Sequence, residues 1–229
     1  TPIAPVPLQA DFDLDPEAVA AALPCAAALA VVSPNNPSGR RVSEPALRFV
    51  LHAAAGRPVL VDEVYAPFCG QDFAPLLAEF PNLALLRSLS KAHGVPGLRC
   101  GFVLAAPAQA RALDRRRSPY NVSAAAAGVG VAILDGDAGA PERRRAAVQA
   151  RQALQGWLAA AGVSTVASDT HFCMLRLGEA CGEAAGHMRS EGILVRELGT
   201  AAPGYLRVSV TGPDDVGAFA AAFFPWWRG

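Results

Sequence analysis

Four short apolar runs, at residues 28–32, 59–61, 83–86 and 100–104, each break off into a polar or glycine-rich loop, and the first two are separated by a helix-patterned stretch. That alternation limits the fold more than any other feature. Runs this brief, rich in aliphatic residues and bounded by turn formers, read as buried strands. Strands alternating with helices at this spacing imply an α/β fold with a mostly parallel sheet covered on both faces, and such sheets bind ligands beyond the carboxyl ends of their strands. The chemically suggestive residues Asn36, Asp62, Tyr65 and Lys91 all fall at such ends.

Helix signals fill the intervals. Residues 16–23 carry Asp15 as N-cap and Pro16 in the first turn. Residues 43–55 have Ser43 as cap, an apolar face of Leu47, Val50 and Leu51, and Gly56 as terminator. Helical patterning resumes at 108–116, 123–134 and 141–161, the last ended by Gly162. A smaller α+β unit follows, with strands at 163–166, 172–177, 193–196 and 205–210 and helices at 180–190 and 214–223. Asp, Gly and Pro concentrate at residues 135–142, which divides the chain into a large domain, 1–138, and a bridging helix with a small C-terminal domain, 139–229. The aromatic tail from Phe223 to Trp227 reads as the packed face of a terminal helix.

Composition excludes several classes. Twenty acidic and 20 basic residues give zero net charge, so nothing draws the chain to nucleic acid or an anionic membrane. The triplets Arg115-Arg116-Arg117 and Arg143-Arg144-Arg145 read as solvated helix faces. Much of the 52% of hydrophobic residues is alanine, and the most apolar run, 18–32, contains Pro24 and is too short to span a bilayer. No charged-then-apolar leader stands at the N-terminus, which favours the cytoplasm. Five cysteines without CxxC spacing suggest neither disulfides nor zinc, and are expected to be reduced and mostly buried. His52, His93, His171 and His187 are too scattered for a metal set.

Lys91 is the single lysine among the 20 Lys and Arg residues. Arginine stays protonated at physiological pH, whereas a lysine amine can deprotonate and attack a carbonyl, so an imine-forming site must use lysine. Around it, an apolar strand runs into a loop rich in hydroxyls, glycine and arginine, which are anion-binding groups.

The stretches Ser33-Pro34-Asn35-Asn36-Pro37-Ser38-Gly39, Val61-Asp62-Glu63-Val64-Tyr65, Arg87-Ser88-Leu89-Ser90-Lys91-Ala92, Gly97-Leu98-Arg99-Cys100-Gly101-Phe102, Pro119-Tyr120-Asn121-Val122 and Leu206-Arg207-Val208-Ser209 together resemble the pyridoxal-phosphate-dependent aminotransferases of the aspartate-aminotransferase fold, within it the histidinol-phosphate aminotransferases. The resemblance implies that Lys91 holds pyridoxal 5'-phosphate as a Schiff base and shuttles a proton. Asp62 would pair with the pyridine nitrogen, and Tyr65 and Asn36 would bond the ring's phenolic oxygen. Ser88, Ser90 and Arg99 would hold the phosphate. Arg207 would clamp a substrate carboxylate, and Arg196 and Asn121 would also face substrate. Read without the resemblance, Arg207 and Arg196 are surface arginines and Asn121 is a helix cap.

The implied reaction is transamination between histidinol phosphate and 2-oxoglutarate, by a cytoplasmic homodimer without metal. Alternatives are a threonine-phosphate decarboxylase, another class I or II aminotransferase, or a catalytically inactive truncated remnant. The family carries a further N-terminal portion before the point matching Thr1, so the large domain is expected to be N-terminally truncated. Where the family has an asparagine before the aromatic of the small-domain strand, this chain has His171.

Overall fold

Apolar alternation and turn chemistry build two units, described by a computed structural model over residues 2–136 and 139–228. One unit takes the chain up to Pro34 and resumes at Arg41; the other takes Asn35–Arg40 and everything from Gly139 onward. Thr1 lies outside the described residues. So do Asp137 and Ala138, within the expected boundary at 135–142.

In the first unit, β1 (Leu29–Val32), β2 (Val59–Asp62), β3 (Leu83–Ser88) and β4 (Gly101–Ala105) form a sheet in that order. The first three are mutually parallel, and β4 runs antiparallel to β3. Helix α1 (Pro16–Ala22) opens on Asp15, whose Oδ1 accepts from Ala18 N at 2.9 Å. Helix α2 (Glu44–Ala53) opens on Ser43, whose Oγ accepts from Ala46 N at 3.3 Å. Ser43→Ala removes that partner, so thermal or urea unfolding should show about 1 kcal/mol of lost stability; an unchanged midpoint would show the cap contributes nothing.

Val31, Val61 and Leu85 share one face of the sheet and pack with Val19 and Leu23 from the α1 region and Leu47, Val50 and Leu51 of α2. Coverage of both faces was expected. Instead the opposite face carries Val32, Leu60 and Val103, each 37% to 40% exposed. Helices α3 (Pro107–Asp114) and α4 (Ala124–Gly136) complete the unit. Among the described residues no helix is long and apolar enough to cross a membrane, and no cluster of potential metal ligands occurs.

The second unit starts with α5 (Ala140–Ala160) and holds a sheet ordered β5 (Phe172–Arg176), β7 (Tyr205–Ser209), β6 (Arg196–Glu197), with α6 (Cys181–Ser190) and α7 (Pro213–Arg228). Leu154, Leu158, Leu206, Val208, Phe219 and Phe223 anchor its core.

Three elements depart from expectation. Residues 163–166 make only an isolated bridge, Thr165 to Leu175. The chain then turns into hydroxyls that bond inward, with Ser168 Oγ donating to Phe172 O at 2.6 Å. The strand expected at 193–196 shrinks to two residues, because Ile193 N is spent closing α6 on Met188 O at 2.8 Å after the left-handed Gly192. The last helix passes through Pro225 to Arg228. Proline removes one helical bond, yet Phe223 stacks on Trp227 at 5.9 Å and Trp227 Nε1 donates to Ala161 O at 3.2 Å, which holds the final turn. The thiols differ too: only Cys173 and Cys181 are buried, and Cys25 is exposed. Desolvation pushes the Cys173 thiol up to about 12, leaving it inert at neutral pH.

Candidate functional site

The carboxyl ends of β1, β2 and β3 lie side by side because the strands are parallel and in register, Val32 beside Asp62 and Asp62 beside Leu86. Asp62 closes β2 half-buried, and its Oδ1 accepts from Val64 N at 3.0 Å, which orients the carboxylate. Tyr65, 5% exposed, starts the next short 3-10 turn. Lys91, exposed on the loop after β3, holds Nζ 5.7 Å from the Tyr65 ring centroid. A carboxylate, a phenol and the amine of the chain's single lysine thus stand at or just after two adjacent strand ends.

The lysine loop is folded as a polar cradle. Ser88 Oγ accepts from Ser90 N at 3.1 Å and donates to Cys100 O at 3.4 Å, joining the end of β3 to the start of β4. Arg99 adopts a left-handed conformation, φ +52°, unusual for a residue with a Cβ. Its guanidinium is exposed and donates to Pro96 O at 3.0 Å. Gly101, not singled out from the sequence, is required by closeness: a Cβ there would stand 2.8 Å from Arg87 O.

The other candidates occupy the second unit. Arg207 alternates with the buried Leu206 and Val208 and so faces away from that unit's core. Its Nη1 donates to Asn36 Oδ1 at 2.5 Å, and its Cζ lies 5.1 Å from the Phe172 ring centroid. Its Nε is buried without a hydrogen-bond partner. Arg196 stands directly opposite Arg207 in the β6–β7 register. Two guanidiniums at paired positions repel, and an anion would relieve them. Strand patterning does not show the seat of Phe172 under Arg207, which is a long-range feature. Asn121, by contrast, is exposed between α3 and α4, its Oδ1 accepting from Arg117 Nη1 at 3.0 Å. Glu63 and Arg87, also not singled out from the sequence, stand at the ends of β2 and β3 and pair through Arg87 Nε and Glu63 Oε2 at 2.9 Å.

Comparison with known proteins adds to this geometry. Residues 1–223 match the family described as aminotransferase class I and II. The histidinol-phosphate aminotransferase of Thermococcus kodakarensis is 34% identical over 225 residues, which cover 98% of this chain and 64% of the relative. The aromatic amino acid aminotransferase of Rhodococcus opacus is 33% identical, over 94% of this chain and 61% of the relative. The crystal structure of histidinol-phosphate aminotransferase from Sinorhizobium meliloti in complex with pyridoxal-5'-phosphate aligns with a TM-score of 0.88 at 26% identity, covering 98% of this chain and 64% of that one. The chain spans 58% to 64% of the length of the first curated relatives it matches.

Proposed function

Because the chain belongs to the class I and II aminotransferases, we propose that it carries the cofactor site of a transaminase, holding pyridoxal 5'-phosphate through Lys91 and moving an amino group between histidinol phosphate and 2-oxoglutarate. The observation that carries this reading is the approach of the only lysine to Tyr65 on the strand end beside Asp62. The donor set suits the cofactor: one amine for its aldehyde, one carboxylate for its ring nitrogen, and a loop of hydroxyls and an arginine for its phosphate.

When bound, pyridoxal phosphate supplies an aldehyde for the amino group and a protonated ring that draws electron density from the substrate α-carbon. Lys91 Nζ would hold that aldehyde, and its amine would move a proton at the substrate α-carbon. Asp62, oriented by Val64 N–H, would keep the ring nitrogen protonated. Tyr65 would donate to the ring's phenolic oxygen, a role the motif resemblance also assigns to Asn36, and Ser88, Ser90 and Arg99 would hold the phosphate. Arg207, with Nε unpartnered, clamps the carboxylate of the oxo acid, with Arg196 adding charge and Asn121 contributing from its loop. The same reading implies a cytoplasmic homodimer. Its support is the family and the resemblance of the motifs.

The test is visible absorption of the chain mixed with pyridoxal phosphate, then borohydride reduction and peptide mapping. An adduct on Lys91, followed by loss of the visible band with glutamate and with histidinol phosphate, is expected. Response to aromatic amino acids but not histidinol phosphate would replace the substrate, and carbon dioxide release from threonine phosphate would replace the reaction. Absence of any Lys91 adduct in folded protein would sink the proposal.

A further inference from the structure

Past Asp62, the β2–β3 ladder continues by one bond, Glu63 N to Leu86 O at 2.8 Å. By strand alternation Glu63 follows Val59 and Val61 onto the helix-covered face, where it is 1% exposed. Burial pushes its carboxyl up, and hydrogen bonds oppose that push. Its Oε1 accepts from Phe73 N at 3.0 Å. Its Oε2 takes Arg87 Nε at 2.9 Å and Nη2 at 2.8 Å.

Arg87 follows Leu83 and Leu85 onto the same face of β3, and its Nη2 also reaches Asp72 Oδ1 at 2.5 Å. Next to Asp72, Gln71 Oε1 accepts from Ser33 Oγ at 2.7 Å and its Nε2 donates to Val42 O at 2.8 Å. Residues 71–73 therefore bind the chain beyond β1 through Ser33, beyond β2 through Glu63, and the end of β3 through Arg87. Asp62 and Ser88 are the immediate neighbours of the two charged residues so tied.

Glu63 is fully buried and Arg87 partly so; an ion pair taken out of water is rarely more stabilising than a well-packed apolar pair of the same size, and neither residue has a part in the chemistry above. What the pair does is lock two adjacent strand ends at one height. We infer that Glu63 and Arg87 are positioning residues, which, with the strap at 71–73, hold Asp62 and Ser88 in the register needed to grip the cofactor's ring nitrogen and phosphate together. The inference rests on the pyridoxal phosphate reading of this site.

The experiment compares Glu63→Gln, the double variant Glu63→Gln/Arg87→Met and Asp72→Asn with the unaltered chain and with Leu51→Ala. Leu51 is a core residue lining the opposite end of the sheet with Pro58 and Asn82. Each is titrated with pyridoxal phosphate by visible absorption, and the pH midpoint of the visible band and the thermal midpoint are recorded. Glu63→Gln and the double variant should weaken cofactor binding tenfold or more and move the pH midpoint. Asp72→Asn, whose side chain is 57% exposed and whose loss the fold tolerates, should weaken it about threefold. Leu51→Ala should lower the thermal midpoint with cofactor affinity within twofold. The inference is overturned if the folded Glu63 variants bind within twofold of the unaltered chain. It is overturned equally if Leu51→Ala loses as much affinity, or, where the Glu63 variants do not fold, if Asp72→Asn binds normally. An unaltered chain that traps no cofactor on Lys91 removes the functional reading as well, a result distinct from all of these.

Discussion

If Lys91 holds pyridoxal phosphate as proposed, Lys91→Arg is expected to lose the visible band and the borohydride-trapped adduct, and any turnover to fall by roughly 10²–10⁴-fold or more, the range expected when a positioned acid–base group is removed. The fold should scarcely notice. Lys91 is exposed, and its amine lies over the Tyr65 ring at 5.7 Å, a contact a guanidinium can also make. What arginine cannot do is deprotonate to attack an aldehyde or accept a proton from the α-carbon. Spectroscopy, peptide mapping and a thermal melt on the same preparation read all three consequences. An arginine variant that retains full activity would exclude Lys91 as the cofactor-bearing residue.

Gly39→Ala destabilises the second unit by about 2–5 kcal/mol, combining a left-handed residue that now carries a Cβ with overpacking of a filled site. Gly39 has φ +78°, and a Cβ there would lie 2.2 Å from Ser168 Oγ and 3.2 Å from Ser168 Cα. Ser168 has little room to move, since its Oγ donates to Phe172 O at 2.6 Å and lies 3.0 Å from Thr170 Oγ1. The backbone is held as well, with Asp169 N donating to Gly39 O at 2.8 Å. Pushing this loop outward also carries Asn36 away from Arg207. Denaturant unfolding measures the loss, and a variant with an unchanged midpoint would show that the loop is not seated on Ser168 as described.

Much of the architecture was legible because it rests on local rules. Asp15 and Ser43 cap α1 and α2 through the hydroxyl or carboxylate geometry their types suggest, and the apolar runs mark all four strands of the first sheet to within a few residues. Local rules failed where a distant partner decided. The last helix is expected over 214–223, but the stacking of Phe223 on Trp227 and the bond from Trp227 to Ala161 accompany its continuation through Pro225 to Arg228. The run 193–196 reads as a strand, but the closing turn of α6 uses its first residue.

Sequence by itself determined which residues stand at the strand ends, and so that Lys91, Asp62 and Tyr65 belong to one neighbourhood. Period-two alternation and turn chemistry are properties of a few consecutive residues, and they place a side chain on a face without reference to anything far away. Tertiary structure decided the partners: Glu63 with Arg87, 24 residues on, and Asn36 with Arg207, 171 residues on. Alternation does put Glu63 and Arg87 on inward faces, a signal in hindsight, but whether the two charges meet depends on which strands lie side by side and in what register. That is settled by packing the whole core, because a buried charge is tolerated only where its counter-charge is brought to it.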